Sequence, residues 1–89
     1  MSKAFVYILK SERNVRFYIG STNNFGRRLD EHIKGKSKYT RNNLPVVPVF
    51  CQEFPDIETV RKIEYKLKSF ANRSIIEKII KDQKLTLGS

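Results

Sequence analysis

Two tyrosines, one arginine and one histidine near the start of the chain have side chains that could act on a phosphate group. They are Tyr7, Tyr18, Arg28 and His32. A guanidinium binds phosphate oxygens, often through two parallel hydrogen bonds, and phenol and imidazole groups can exchange a proton with a reacting oxygen. These residue types suit phosphoryl transfer if the fold brings them together.

Each of the four also has an ordinary structural explanation. Buried tyrosines usually pack and satisfy their hydroxyl group, and an isolated arginine is usually solvated. A histidine beside an apolar helix face is commonly a rim residue. The residue types alone therefore leave both interpretations open.

A hairpin is predicted to carry the two tyrosines. Residues 4–9 are apolar on both faces, which indicates a central strand. Residues 16–20 form a shorter segment that is polar at its start, as expected of an edge strand. A polar connector joins the two segments, so Tyr7 and Tyr18 can lie on neighbouring strands with a common face.

A helix over residues 25–34 is predicted to carry the arginine and the histidine. Residues 20–24 are expected to interrupt the strand and cap the helix, and Gly35 is expected to end it. Phe25, Leu29 and Ile33 are spaced i, i+4, i+8 and predict the buried stripe. Arg28 and His32 would lie along one edge of that stripe, toward the sheet margin.

The second half of the chain predicts a third strand over residues 46–54 and two further helices. Pro48 cannot donate a backbone hydrogen bond, so it is expected at an unpaired or bulged position. Cys51 is expected to be a small core or sheet residue and not a nucleophile. A helix is expected after Pro55, with Asp56 as its cap, and a capping-box pattern at Ser74 predicts the start of the last helix.

Glu64 falls between Ile57 and Val60 on the apolar arc of the predicted second helix. A lone carboxylate on a core-facing surface is costly unless it is paired or bound to a cation. Two explanations follow, a structural ion pair with Arg28 or a lysine, and a metal ligand; the family resemblance described below favours the metal ligand.

Composition points to one small, basic domain. The chain has 89 residues and a net charge of +9, which attracts polyanions such as nucleic acid. Residues 1–84 are expected to form one domain, with 85–89 as a flexible C-terminal tail. No run of residues approaches a membrane span, no convincing signal peptide is present, and Cys51 has no disulfide partner, so we expect a cytoplasmic protein.

The spacing of these motifs resembles the GIY-YIG nuclease superfamily. The residues that carry the resemblance are Val6-Tyr7-Ile8, Tyr18-Ile19-Gly20, Arg28 and His32. The second motif is intact, whereas Val6 stands where the first motif of the family has glycine. The segment 38–41 before Pro45 and the segment 64–68 resemble the small, stand-alone bacterial members.

The resemblance implies an α/β (α+β) sandwich, in which a three-stranded antiparallel sheet is flanked by about three helices. It implies a metal-dependent endonuclease with one Mg²⁺ or Mn²⁺ ion, for which Glu64 is the candidate ligand. Tyr7 would be the general base, Arg28 would bind the phosphate, and Tyr18 and His32 would orient water or relay protons. These five residues are expected to surround one shallow basin.

Nucleic acid is the expected partner, DNA in preference to RNA. Cations near a stackable ring suit a nucleic-acid backbone, although the loop that carries most of them is as readily an ordinary solvated loop. A binding module without catalysis on the same scaffold is the main alternative, and a domain recruited by a protein partner is a weaker one. The predicted nucleic-acid contacts are Arg27, Lys36, Lys38, Tyr39, Arg41 and Lys68.

Overall fold

The structure is a computed structural model that describes residues 3–14, 16–38, 40–70 and 72–85. A three-stranded antiparallel sheet with the order β2-β1-β3 is combined with three α-helices, which confirms the predicted architecture. The elements are β1 (Ala4–Ser11), β2 (Phe17–Thr22), α1 (Phe25–Ile33), β3 (Val46–Phe54), α2 (Ile57–Phe70) and α3 (Arg73–Asp82). A short 3-10 turn, Arg41–Asn43, precedes β3.

β1 is the central strand and β2 is an edge strand, as the sequence predicted. The prediction that residues 20–24 interrupt the strand was wrong for its first part. Gly20 pairs with Tyr7, and Ser21 and Thr22 continue the pairing along β1. The strand continues because β1 still offers backbone partners beyond Tyr7, so the glycine is an internal strand residue.

β3 has the predicted bounds and forms the opposite edge of the sheet. Its register with β1 shifts between Ile8, which pairs with Phe50, and Leu9, which pairs with Pro48. The shift leaves Val49 without a partner in the register, so the predicted irregularity is present, but the unpaired residue is the one after the proline. Cys51 is a sheet residue, but it is exposed and not part of the core.

The sheet separates two apolar clusters, because successive side chains of a strand point to opposite faces. Val6 and Ile8 face α2 and α3, where they pack with Val60, Leu67 and Ile79. The opposite face carries Tyr7, Leu9, Tyr18 and Val46, against which Phe25, Leu29 and Leu44 of α1 and the following loop are packed. The two tyrosines therefore lie on the α1 side of the sheet.

α1 is rotated relative to the prediction. Asn24 caps the helix by accepting a hydrogen bond from the Arg27 amide, at 3.1 Å. The prediction that Ile33 belongs to the buried stripe was wrong, because Ile33 is 52% exposed and His32 is fully buried. At about 100° per residue the buried arc is centred on Phe25 and His32, and Ile33 lies off its edge at the end of the helix.

α2 begins as predicted, with the Asp56 carboxylate accepting a 2.8 Å hydrogen bond from the Thr59 amide. The start predicted for α3 at Ser74 was wrong. Asn72 caps this helix, because its side chain accepts a 3.0 Å hydrogen bond from the Ile75 amide. Ser74 therefore lies within the first turn.

The end of the chain is partly attached to the sheet. Leu85, which the sequence assigned to the tail, is half-buried against the Val6 cluster, and its amide donates a 3.2 Å hydrogen bond to Gln52. Residues 86–89 lie outside the described residues. Among the helices of the described ranges, none is both long and apolar enough to cross a membrane.

Candidate active site

A buried hydrogen-bonded chain joins Tyr7, His32 and Thr40. The Tyr7 hydroxyl lies 3.0 Å from Nε2 of His32, and Nδ1 of His32 lies 2.8 Å from Oγ1 of Thr40. His32 and Thr40 are fully buried, and Tyr7 is nearly so. Because both ring nitrogens have a partner, the imidazole is held in one orientation below the phenol.

The environment keeps His32 neutral. Burial, together with the nearby Arg28 guanidinium, lowers the pKa of His32 from its ordinary value of 6.5 to about 4, although the Glu31 carboxylate opposes the effect. A buried imidazole cannot be solvated as a cation, and a neighbouring positive charge adds to this cost. At neutral pH the ring therefore has one N–H donor and one nitrogen acceptor.

Arg28 lies beside this chain at the surface of the same helix. Its guanidinium donates hydrogen bonds to Glu31, at 2.9 Å, and to the Ser37 hydroxyl, at 3.5 Å. The hydrogen bond with Glu31, and the weaker influence of Tyr7, raise the pKa of Arg28 despite its partial burial. A permanently charged, half-exposed guanidinium is therefore placed next to the Tyr7 phenol.

Gly20 makes room for the Tyr7 ring. A Cβ atom added at Gly20 would stand 2.5 Å from Cζ of Tyr7, which is closer than any stable contact between carbon atoms. The ring also packs on Phe25 of α1, with a centroid separation of 5.5 Å. The glycine and the aromatic residue together determine where the phenol lies.

Tyr18 joins the same face from β2. It is buried in the cluster that contains Tyr7 and Leu9, under α1. The sequence predicted that the two tyrosines can share a face, and the strand pairing places them there, since Tyr18 pairs with Leu9 and Gly20 pairs with Tyr7.

Glu64 reaches the sheet from the other side. Its carboxylate accepts a hydrogen bond from the Ser21 hydroxyl and forms a 2.7 Å salt bridge with Lys68, one turn further along α2. Its side chain is 21% exposed, which agrees with the position predicted from the helical arc. Of the two ion pairs considered for Glu64, the structure shows the one with a lysine, Lys68. Arg28 forms its salt bridge with Glu31.

The five predicted residues thus form two groups, one on each face of the sheet. Tyr7, Tyr18, Arg28 and His32 lie on the α1 side, whereas Glu64 contacts Ser21 on the α2 side. Gly20 and Ser21 are consecutive residues of an edge strand, and consecutive Cα atoms are only about 3.8 Å apart. The two groups therefore contact neighbouring residues of β2 from opposite faces of the sheet, and one basin around all five residues stays a prediction.

The loop after α1 supplies hydroxyl groups that the sequence analysis missed. Ser37 and Thr40 are buried, and they contact Arg28 and His32 respectively. The loop is attached to the end of β1 by a 2.6 Å hydrogen bond from Ser11 to the Asn43 carbonyl. No local pattern reveals such a role, since a serine or threonine in a basic loop is usually solvated and the path of the loop decides which partner it meets.

The predicted nucleic-acid contacts are mostly exposed cations around α1 and this loop. Lys68 is half-exposed, and its amine is bound to Glu64. Tyr39 lies outside the described residues. The exposed cations are Arg27, Lys36, Lys38 and Arg41.

The sequence matches the family model of the GIY-YIG catalytic domain over residues 3–79. A UPF0213 protein of Staphylococcus haemolyticus is 35% identical over 80 residues, which cover 89% of this chain and 96% of that protein. A UPF0213 protein of Streptococcus pneumoniae serotype 4 is 42% identical over 67 residues, covering 74% of this chain and 67% of that protein.

The fold is also similar to a solved structure. The solution NMR structure of a UPF0213 protein from Bacillus halodurans superposes with a TM-score of 0.58 at 32% sequence identity. The match covers 91% of this chain and 85% of that protein. Sequence and fold therefore agree on the same group of small bacterial proteins.

Proposed function

The chain belongs to the GIY-YIG catalytic-domain family, and on that premise we propose that it is a divalent-metal-dependent endonuclease that hydrolyses phosphodiester bonds, in DNA rather than RNA. The observation that carries the proposal is the contact of Tyr7 with neutral His32 beside the Arg28 cation. The net charge of +9 supports a polyanionic substrate.

Counted back from Tyr7, the glycine of the first motif falls on Phe5 and its isoleucine on Val6, so the assignment of Val6 to the glycine position was wrong, and the valine does not weaken the proposal. Val6 is fully buried in the cluster on the α2 side, opposite the face that carries Tyr7. Its side chain therefore fills the core and leaves the phenol and its partners unchanged. The residue that must be small for the Tyr7 ring is Gly20, and it is present.

The oxygen atoms of Glu64 and Ser21 have the chemistry that a hard divalent cation prefers, and such an ion would take the place of the Lys68 ammonium group on the carboxylate. Among the described residues no three His, Cys, Asp or Glu side chains cluster as a metal site, so one carboxylate would act with water and phosphate oxygens. This all-oxygen set suits Mg²⁺ or Mn²⁺ and not Zn²⁺. When bound, the ion would neutralise phosphate charge and orient the reacting groups.

Arg28 is the proposed phosphate-binding residue. Its guanidinium stays charged at every physiological pH and is half-exposed. The present partner, Glu31, is a half-exposed carboxylate at 2.9 Å, and such surface pairs contribute only about 0–1 kcal/mol. A phosphate group can therefore take the place of Glu31 and receive two parallel hydrogen bonds from the same guanidinium.

Tyr7 is the proposed general base. An ordinary tyrosine, with a pKa of about 10, is a poor base at neutral pH. A hydrogen bond donated by Nε2–H of His32 and the positive charge of Arg28 would both favour the phenolate. The Thr40 hydroxyl supports this arrangement, because it can donate to Nδ1 and so leave the ring proton on Nε2.

His32 is proposed to act through Tyr7. It is fully buried, and its pKa of about 4 prevents it from holding a second proton at neutral pH. It therefore positions the phenol and does not store the abstracted proton. Tyr18, buried on the same face, is proposed to help orient the attacking water from the β2 side.

A plasmid assay tests the proposal. The protein is incubated with supercoiled plasmid and Mg²⁺ or Mn²⁺, and the expected result is nicking that disappears with a chelator and in Glu64→Gln. Glu77→Gln is the matched control, because Glu77 also forms a salt bridge with a residue four positions away, Arg73, but lies on α3. Nicking that is equal in Glu64→Gln and Glu77→Gln would refute the role of Glu64.

One observation favours a second function, a nucleic-acid-binding module without turnover. Glu64 is already satisfied by Ser21 and Lys68, so its carboxylate has a structural explanation that needs no metal ion. Tight binding of several DNA and RNA forms, with no cleavage by the parent protein under any metal condition, would establish this alternative.

A further inference from the structure

The solvent-facing side of α2 carries an exposed aromatic ring. Among the described residues Tyr65 is the most exposed large hydrophobic side chain, at 76%. A single exposed tyrosine is common on protein surfaces and by itself indicates nothing. Tyr65 differs from such a residue because several positively charged side chains lie near it on α2.

Two cations share the helical face of the ring, and a third lines the depression beside it. Arg61 and Lys62 lie four and three residues before Tyr65, so they flank it one turn away, and Lys66 follows it directly. Arg61 and Lys66 form no salt bridge with a carboxylate of the described ranges. The pKa of Asp56 at the start of the helix is lowered mainly by hydrogen bonds with Thr59 and to a smaller extent by the charge of Lys62. A strongly positive surface therefore borders the phenol.

The surface beside the ring is concave and largely apolar. Ile63 is half-buried there, and the aliphatic parts of the lysine side chains form much of the wall. The described residues that line this open depression are Thr59, Arg61, Lys62, Ile63, Tyr65 and Lys66.

This face adjoins the candidate active site. Tyr65 follows Glu64 directly, and Glu64 is bound to Ser21 at the edge of the sheet. A chain of phosphates that passes Glu64 would reach Arg61, which lies three residues before Glu64 and therefore beside it on the helix surface. Lys66 lies further around the helix, beyond the ring.

We propose that Arg61, Lys62, Tyr65 and Lys66, here called the α2 platform, bind an unpaired segment of nucleic acid beside the scissile phosphate. This inference rests on the proposed function. The cations contact phosphate groups, and Tyr65 stacks on a base. An unpaired strand is required because a base face is accessible to a surface ring only when that base has left the duplex stack.

Binding without cleavage tests the platform. Fluorescence anisotropy with a labelled oligo-dT strand, in the presence of a chelator, measures affinity for single strands, and a blunt duplex serves as comparison. Tyr65→Ala should weaken binding of the single strand on the order of tenfold, whereas Tyr65→Phe should bind as the parent does. Binding of the duplex should change little, since its bases remain stacked.

The cations are tested by salt dependence. The double variant Arg61→Ala/Lys66→Ala should reduce the slope of log K against log salt by roughly 1.4 for a single strand, because two phosphate contacts are lost. Lys78→Ala/Lys81→Ala removes the same charge from exposed positions of α3. This control should retain most of the slope.

Several outcomes would overturn the platform. They are unchanged single-strand binding by Tyr65→Ala, equal losses for single strand and duplex, and equal slopes for the two double variants. Failure of the proposed function is a separate result. If the parent protein binds single strands through Tyr65 but never nicks plasmid, the α2 platform is supported and the nuclease function is refuted. If the protein nicks plasmid and Tyr65→Ala changes neither binding nor nicking, the nuclease function is supported and the platform is refuted.

Discussion

Gly20 lies directly opposite Tyr7 in the pairing of β1 with β2, and the phenol ring occupies the space that a side chain at position 20 would need. The glycine is thus required by packing in the middle of a strand. It also brings the Tyr7 hydroxyl within reach of His32 on α1. A single small residue therefore couples the edge strand to the candidate active site.

Gly20→Ala should displace the Tyr7 ring. Overpacking of this kind costs about 1–3 kcal/mol of stability, and the hydrogen bond between Tyr7 and His32 should be lost. Urea unfolding measures the first effect, and the NMR signals of the His32 ring report the second. The chain contains one histidine, so these signals belong to a single residue.

Gly26→Ala is the control for the glycine. A Cβ there would have its nearest neighbour at 3.9 Å, and alanine is the better helix former by about 1 kcal/mol. We expect an equal or higher stability and an unchanged His32 signal. If the two variants behaved alike, close packing of Tyr7 on Gly20 would be refuted.

Thr40→Val should disturb the His32 ring. Valine keeps the shape but leaves the buried Nδ1 without its hydroxyl partner, which costs about 1–3 kcal/mol. The ¹⁵N shifts of the ring nitrogens should show a changed tautomer balance, and Thr40→Ser, which keeps the hydroxyl, should restore the parent pattern. If the protein is a nuclease, the pH dependence of its cleavage rate should also differ between Thr40→Val and the parent.

Thr22→Val separates this effect from general destabilisation. Thr22 is also buried, and its hydroxyl accepts a 3.1 Å hydrogen bond from the Asn24 amide. This variant should lose stability while the His32 tautomer stays as in the parent. The same tautomer pattern in Thr40→Val and the parent would show that Thr40 does not determine the ring state.

The neutral state of His32 predicts a pH dependence of stability. In the folded protein the pKa of His32 is about 4, against an ordinary 6.5. Below pH 6.5 the His32 imidazole is therefore protonated in the unfolded chain but stays neutral in the folded chain. The free energy of unfolding consequently falls as the pH drops from 6.5 to 4. The contribution of this one residue is about 3 kcal/mol.

The variant His32→Gln tests the direction and the size of this pH-dependent change in stability. The free energy of unfolding, measured by urea titration at several pH values, should fall less steeply in the variant than in the parent between pH 6.5 and 4. The NMR titration of the single histidine in the parent should have its midpoint near 4. Equal slopes, or a midpoint near 6.5, would contradict the buried neutral state.

The amino-acid sequence by itself determined the elements and the family of this protein. The apolar run around Val6 predicted the central strand, and the apolar spacing after Asp56 predicted α2 and the half-buried position of Glu64. The motifs around Tyr7 and Tyr18 predicted the family, which the match over residues 3–79 confirms. These features depend on residues that are close in sequence.

Only the tertiary structure decided how the elements are oriented and which groups meet. The rotation of α1 exposes Ile33 and buries His32, because the sheet and the loop after the helix, and not the helix alone, select the buried arc. The Thr40 contact likewise depends on the path of the loop after α1, and the contact of Glu64 with Ser21 joins residues that are 43 positions apart. A hydroxyl or a carboxylate can take many partners, and only packing in three dimensions selects one of them.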